Sequence, residues 1–437
     1  MMRAAPFTIL LTAICAPAMA QQTQQPRVVT LEEALRTARE RQPQIRQAMT
    51  AVQAARARAD QARSALLPQV SGVASFDRSQ QQFTQRGAGG QAVSTSVTQS
   101  QWRFGASANQ LVFDFGRTPN QWRAAKSAAE AQQFIELTTE QQILLNAETA
   151  FFNARAQKAL IGVAQETVSN QQRHLDQIQG FVDVGTRPEI DLAQARTLLA
   201  NAQVQLVNAE NGYETTKAQL NQAMGVEGST DYDVADNSLS PITGEEQSTD
   251  ALLDEALRAR PEFGTVSNQI RSQELTLASV RGSYWPALGL SGNLSDVGIK
   301  PVAQPWNWGV NWNALATLDW PIFQGGLTRA QAREAIANLE GLKAQADTLR
   351  LQVRLEVDEA RLAVRAAKAT LVASEEAVVS AREQLRLAEG RYQTGVGNSI
   401  ELSDAQLSFT NAEAQRVQAD YSLSSARAQL LKALGRL

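Results

Sequence analysis

Residues 306–320 read Trp306-Asn307-Trp308-Gly309-Val310-Asn311-Trp312-Asn313-Ala314-Leu315-Ala316-Thr317-Leu318-Asp319-Trp320. The even positions are apolar and carry tryptophan at both ends. The odd positions are Asn, Gly, Thr and Asp, with Leu315 the exception. A period of two marks a strand with one apolar and one polar face. The same phase occurs 210 positions earlier in Trp102, Phe104, Ala106, Ala108 and Val112, interrupted only by Gln110. Val70, Ala74 and Phe76 open the strand before it, as Leu288, Leu290 and Leu294 do in the later copy.

Two explanations of this stripe compete. A soluble sandwich would bury it, but two strands per copy supply no second sheet to pack on. A lipid-facing band bounded by aromatics fits better, with Trp102, Phe104, Trp308, Val310, Trp312, Leu318 and Trp320 turned to lipid. Strands of ten or more residues, tilted by ~40°, cross the hydrocarbon. Four strands cannot close a barrel, and open edges are not tolerated in lipid. Several copies must therefore combine. Two copies give eight strands and a filled interior, whereas three give twelve and leave an aqueous lumen behind the polar face.

The repeat extends beyond the strands. Leu31-Glu32-Glu33-Ala34-Leu35 returns as Leu253-Asp254-Glu255-Ala256-Leu257, and Pro68 as Pro286, at offsets of 222 and 218. Phe113-Asp114-Phe115-Gly116 returns as Phe323-Gln324-Gly325-Gly326, Gly185 as Gly395 and Met224-Gly225 as Leu434-Gly435, all at 210. The chain is a tandem duplication of a helix-strand-strand-helix unit. The first repeat covers 21–225 (strands about 68–115, tip about 180–191), with a polar, acidic linker at 226–252. The second covers 253–437 (strands about 286–324, tip about 390–404). The segment Arg86-Gly87-Ala88-Gly89-Gly90 reads as a longer exposed loop in the first copy.

Between about Gln121 and Gln179, and again between Arg329 and Arg391, there is no proline and glycine only at Gly162, Gly341 and Gly390. Each stretch predicts a helix of ~90 Å. The shorter helices, about Pro43–Leu66 and Pro188–Ala223, sum to the same length and can stack end to end beside a long one. The fold class is therefore mainly α with membrane β-strands, extended rather than compact.

Arg3, the apolar run Pro6–Cys15 and Ala18-Met19-Ala20 form a secretory leader over residues 1–20. The run is too short for a membrane helix, and Ile14 stands where a lipoprotein needs a small residue. The chain carries 41 basic and 44 acidic residues, one cysteine and one histidine. No basic stripe exists to bind nucleic acid. His174 alone builds neither a metal centre nor a catalytic relay, so it is expected on a helix surface near the tip. No nucleotide loop or nucleophile elbow occurs. No catalytic residue, metal or cofactor is expected.

These residues resemble the TolC family of outer-membrane efflux and secretion channels over nearly the whole chain after the leader. The resemblance rests on the Leu31–Leu35 opening, the Ala65–Val70 and Ser283–Leu288 corners, Phe113–Gly116 with Phe323–Gly326, and the two tips. It implies a homotrimer with a twelve-stranded β-barrel in outer-membrane lipid, continuous with a long periplasmic α-helical barrel. The linker would join an equatorial belt. The tips, at Val184, Gly185, Thr186, Thr394 and Gly395, would meet a periplasmic adaptor (membrane fusion protein) coupled to an inner-membrane RND or ABC pump.

Glu401 and Asp404 lie in the opening turns of the last helix, behind Asn398 and Ser399 as N-caps. They complement the helix dipole, and in a trimer their i, i+3 spacing also makes two stacked acidic rings. The resemblance implies that such rings favour cations and bind multivalent ones. It also implies closure of the entrance by a tyrosine and an arginine of the second tip and an acid of the first. Tyr392 and Asp191 match, but Gly397 replaces the arginine, leaving Arg187 or Arg391 as substitutes. Loss of Asp191 or of the Tyr392 hydroxyl is expected to make the closed state leak. Multidrug efflux, metal-ion efflux and type I secretion remain equally compatible, and a periplasmic coiled-coil protein without a barrel is the alternative class.

Overall fold

The computed structural model describes residues 27–86, 90–302 and 304–437. The leader lies outside the described residues. The first half consists of β1 (Arg27–Val29), α1 (Leu31–Arg41), α2 (Pro43–Ser64), β2 (Gln69–Arg86), β3 (Ala92–Phe113), α3 (Arg117–Asp183) and α4 (Glu189–Met224). The second consists of β4 (Tyr232–Val234), α5 (Thr249–Ala259), α6 (Pro261–Gly282), β5 (Ala287–Pro301), β6 (Asn307–Asp319), α7 (Leu327–Gln393) and α8 (Ser399–Leu434).

Helix lengths match between the halves: 67 residues in α3 and α7, 36 in α4 and α8, 22 in α2 and α6. Each long helix reaches about 100 Å. α1 and α5, of 11 residues each, both stop before a proline. The residue ahead of a proline is driven out of the helical region, and Gln42 and Arg260 have ψ of 120° and 126°. The structural equivalence here places Leu31 against Thr249 and Pro43 against Pro261, a constant offset of 218. The Leu31–Leu35 match to Leu253–Leu257 is therefore wrong by four residues. A shift of about one helical turn keeps the same face buried, so similar sequence patterns align one turn out of register.

α4 ends on Gly225 and α8 on Gly435, both left-handed with φ of 69° and 74°. A Cβ on Gly225 would sit 2.7 Å from Gln42 Cα, and one on Gly435 would sit 3.0 Å from Ala259 C. Bare glycine lets each helix run its end against the start of the next. The pairs α4/α2 and α8/α6 thus form two broken rods as long as α3 and α7. α3 packs between the two rods, and α7 packs on the far side of α8/α6.

The four-stranded sheet has the order β2-β3-β5-β6, antiparallel throughout, so β3 and β5 join the two halves. Among the described residues both outer edges, on β2 and β6, are unpaired. The loop expected at Arg86–Gly90 falls on residues 87–89, outside the described residues, and the strands that flank it are longer than their counterparts: β2 and β3 have 18 and 22 residues against 15 and 13 in β5 and β6. Ser, Thr and Gln alternate there with Phe83 and Val97, a pattern that continues the ladder past the aromatic rows.

The core is divided along the rods. Val353, Val357, Leu252 and Leu430 form one cluster, Phe151, Phe152, Leu220 and Val234 another, and Ile178, Leu385, Tyr392 and Phe409 a third at the tips. The linker crosses the outside at mid-length. β4 pairs with β1 in parallel, Asp233 bonds Lys158 at 2.6 Å, and buried Glu245 meets Lys368 at 2.5 Å and Arg427 at 3.2 Å.

Candidate channel entrance and membrane-facing surface

Both hairpin tips close in the same way. α3 ends through Gly185 (φ 73°), with Thr186 N–H donating to Phe181 O at 2.9 Å. α7 ends through Gly395 (φ 78°), with Val396 N–H donating to Arg391 O at 3.1 Å. These bonds satisfy the last carbonyls of each helix. Val184 and Val396 are left outermost, each 71% exposed. Thr186 and Thr394 cap the same ends through their hydroxyls.

Between the two hairpins the contacts converge on Tyr392, which is only 1% exposed. The Arg187 guanidinium, from the first tip, lies 4.8 Å from its ring and donates to Gly397 O at 3.4 Å. His174 meets the ring edge-on at 5.3 Å, and Phe181 packs at 6.4 Å. A Cβ at Gly397 would stand 3.0–3.1 Å from Arg391 and Tyr392 atoms, so this turn leaves little room for an arginine. Of the two substitutes, Arg187 crosses to the other hairpin, whereas Arg391 pairs with Glu401 of its own hairpin at 3.0 Å. Burial pushes Tyr392 up and His174 down, and the charge of Asp191, in the first turn of α4, adds to the first shift and offsets part of the second. Burial is the larger cause of the upward shift at Tyr392. The Tyr392 hydroxyl has no hydrogen-bond partner among the described residues, so the ring rather than the oxygen makes the contacts.

His174 is buried, not on a helix surface. α3 is covered by α4 on one side and α8 on the other, and a single helical period does not reveal a second covered face. Above it, Gln171 donates to Gln406 at 2.9 Å, Thr167 meets Thr410 at 3.1 Å, and Arg155 bonds Asp420 at 2.7 Å. Sequence reasoning missed this polar seam. Its one signal was the i, i+4, i+7 spacing of Thr167, Gln171 and His174.

Asn398 caps α8, its Oδ1 accepting from Glu401 N–H at 2.7 Å. Ser399 is instead the first helical residue. Glu401 and Asp404 are both exposed one turn apart. Because Arg391 pairs with Glu401, Asp404 is the less compensated charge.

At the opposite end, register places Phe76, Trp102, Gly298 and Trp308 in one row of the sheet, and Ala106, Leu294 and Trp312 in another. The far aromatics pack together: Phe76 lies tilted against Trp102 at 4.9 Å, Trp102 stacks on Phe104 at 5.7 Å, and Phe104 on Trp308 at 6.1 Å. A second group sits at the helix junction, with Phe113, Phe115 and Trp285 in contact and Trp320 Nε1 donating to Tyr284 O. Val310, Trp312 and Leu318 lie between the groups, 65–77% exposed within one chain. Ten to twelve tilted residues separate the groups, a height of about 25 Å. No described helix is long and apolar enough to cross a membrane.

The family model described as "Outer membrane efflux protein" matches residues 34–226 and 252–436. The outer membrane protein TolC of Escherichia coli (strain K12) is 27% identical over 314 residues, covering 68% of this chain and 61% of TolC. The outer membrane efflux protein BepC of Brucella suis biovar 1 is 22% identical over 282 residues, covering 64% and 60%. The chain thus spans about three-fifths of the length of these relatives. Among solved structures, a membrane protein from Pseudomonas aeruginosa superposes with a TM-score of 0.80 at 19% identity, covering 94% of this chain and 91% of its own. The Campylobacter jejuni CmeC outer membrane channel gives 0.79 at 17% identity, covering 99% and 94%. These similarities establish the fold.

Proposed function

The chain belongs to the outer membrane efflux protein family, and from that premise we propose that it is the passive exit duct of a tripartite efflux or type I secretion system. One observation carries this reading. A four-stranded sheet with one mostly apolar face, broken by Gln110 and by Asp296 between Phe104 and Val310, and with two unpaired edges among the described residues, runs directly into helices of about 100 Å. Three copies would pair β6 of one with β2 of the next and close a twelve-stranded barrel. An exposed apolar seam on α7 supports the same assembly. Leu351, Leu355, Leu362, Val372 and Val379 recur at helical spacing with no cover in one chain, and exposed Val204 and Val207 on α4 offer a matching surface. A periplasmic coiled-coil protein has no use for the sheet.

At the periplasmic end, the Arg187–Tyr392–Asp191 cluster holds the two hairpins together and keeps the entrance shut. Arg391 orders its own hairpin through Glu401. The tips around Val184, Gly185, Thr186, Thr394 and Gly395 contact the adaptor, and an RND or ABC pump supplies the energy. Glu401 and Asp404 form the acidic ring. Single-channel recording tests the ring. Glu401→Ala/Asp404→Ala should lose cation preference and multivalent-cation block, with Asp404→Ala alone having the larger effect of the two single changes. Unchanged selectivity in the double variant would refute it.

A further inference from the structure

We propose that His174 is an acid-sensing latch of the entrance, whose protonation loosens the contact between the two helical hairpins. This rests on the reading that the hairpin contact keeps the entrance closed. His174 comes from the first hairpin and its ring partner Tyr392 from the second, 5.3 Å apart. The same tyrosine ring already carries the Arg187 cation at 4.8 Å. A second cation against one ring, in a site 5% exposed, meets repulsion and loses hydration.

Around His174 two carboxylates are matched by two guanidinium groups, so no net negative charge offsets the added cation. On α3 the neighbouring charge is Arg173. The first tip supplies Arg187 and α4 supplies Asp191. α7 contributes Tyr392 and Glu389, and α8 presents Leu402 and Gln406. His174, Arg173, Glu389 and Gln406 line a cavity of about 210 Å³ at this junction. Gln171, beside it, keeps an unpartnered side-chain oxygen. Such a polar, imperfectly satisfied seam is cheaper to part than an apolar one. Burial holds the imidazole below its ordinary range, and the Asp191 charge offsets only part of that.

The sign follows. The closed state binds the proton less well than an opened, hydrated state with a pKa of ~6.5. Closure is therefore fully favoured above that value and weakens as pH falls below it. The limit is about tenfold per pH unit and copy, until the closed-state imidazole itself titrates. An exported duct meets the pH of its surroundings directly.

The test is the open probability of single channels in planar bilayers at about pH 7.5 and about pH 5.5. Wild type should open at least about fivefold more often in acid. In His174→Gln the acid-to-neutral ratio should fall to near one. Asp191→Asn keeps the histidine but removes the acid that favours its cation, so the midpoint of acid opening should move down. A wild-type ratio of one, an acid response retained in His174→Gln, or an unmoved midpoint in Asp191→Asn would each overturn the latch. Arg187→Ala separates the two readings. If it fails to raise opening at neutral pH, the closure reading fails. If it opens while His174→Gln keeps its acid response, only the latch fails.

Discussion

Arg187 reaches from the first hairpin to the Gly397 carbonyl and the Tyr392 ring, whereas the family resemblance gives an arginine at Gly397 itself. The two hairpins therefore stay linked by a cation, with the donor and acceptor sides exchanged. What the cation rests on is an aromatic face, and the tyrosine oxygen has no partner. The sequence led to the expectation that losing this hydroxyl would cause leakage. The geometry shifts that expectation to the ring. Tyr392→Phe should leave the influx of a large hydrophilic antibiotic near wild type. Tyr392→Ala should raise it strongly, since removing a buried aromatic costs about 3 kcal/mol or more of packing. Equal leakage from both would mean that the oxygen does the work, through a contact between copies. At this scale the sequence was legible wherever a turn or cap dictates residue type, as at Gly185, Gly395 and Asn398. It was not legible at His174, because burial there depends on which helix covers the second face of α3.

Periodicity made most elements readable. Alternation located the strands, and the absence of proline and glycine located α3 and α7. Two features escaped. The break between α5 and α6 depends on a single proline, Pro261, that composition does not single out, whereas Pro43 already marked the start of α2. The length of the first copy's strands also escaped, because the flanking Ser, Thr and Gln residues that keep the ladder carry little apolar alternation, while the loop expected at Arg86–Gly90 falls on residues 87–89, outside the described residues. The end-to-end stacking of short helices depends on Gly225 and Gly435. Gly225→Ala places a Cβ in a left-handed residue and 2.7 Å from Gln42 Cα. It should destabilise the protein by more than about 1 kcal/mol. Thermal unfolding of the detergent-solubilised protein would register this as a lowered midpoint, whereas Gly162→Ala, in open space within α3, should leave it unchanged or raised. Equal midpoints for wild type and Gly225→Ala would show that the helix junction is not tightly abutted.

At the scale of the whole molecule, one chain is an unfinished object. Its sheet has two open edges, its strand aromatics face outward, and α7 carries an uncovered apolar seam. Each unpaired edge group would cost several kcal/mol in hydrocarbon, and in the proposed assembly neighbouring copies supply the missing strands and helices. The duplication is legible in sequence and already hints at pseudo-symmetry, because each chain provides two strand pairs and two helical hairpins. The number of chains is not written in any motif. It follows from barrel width, since eight strands fill their interior and twelve leave a lumen. Native mass spectrometry of the detergent-extracted oligomer tests this most directly. Three copies per particle, extracted from the outer membrane only by detergent, is the predicted result. A particle of two copies, or a monomer released without detergent, would contradict it.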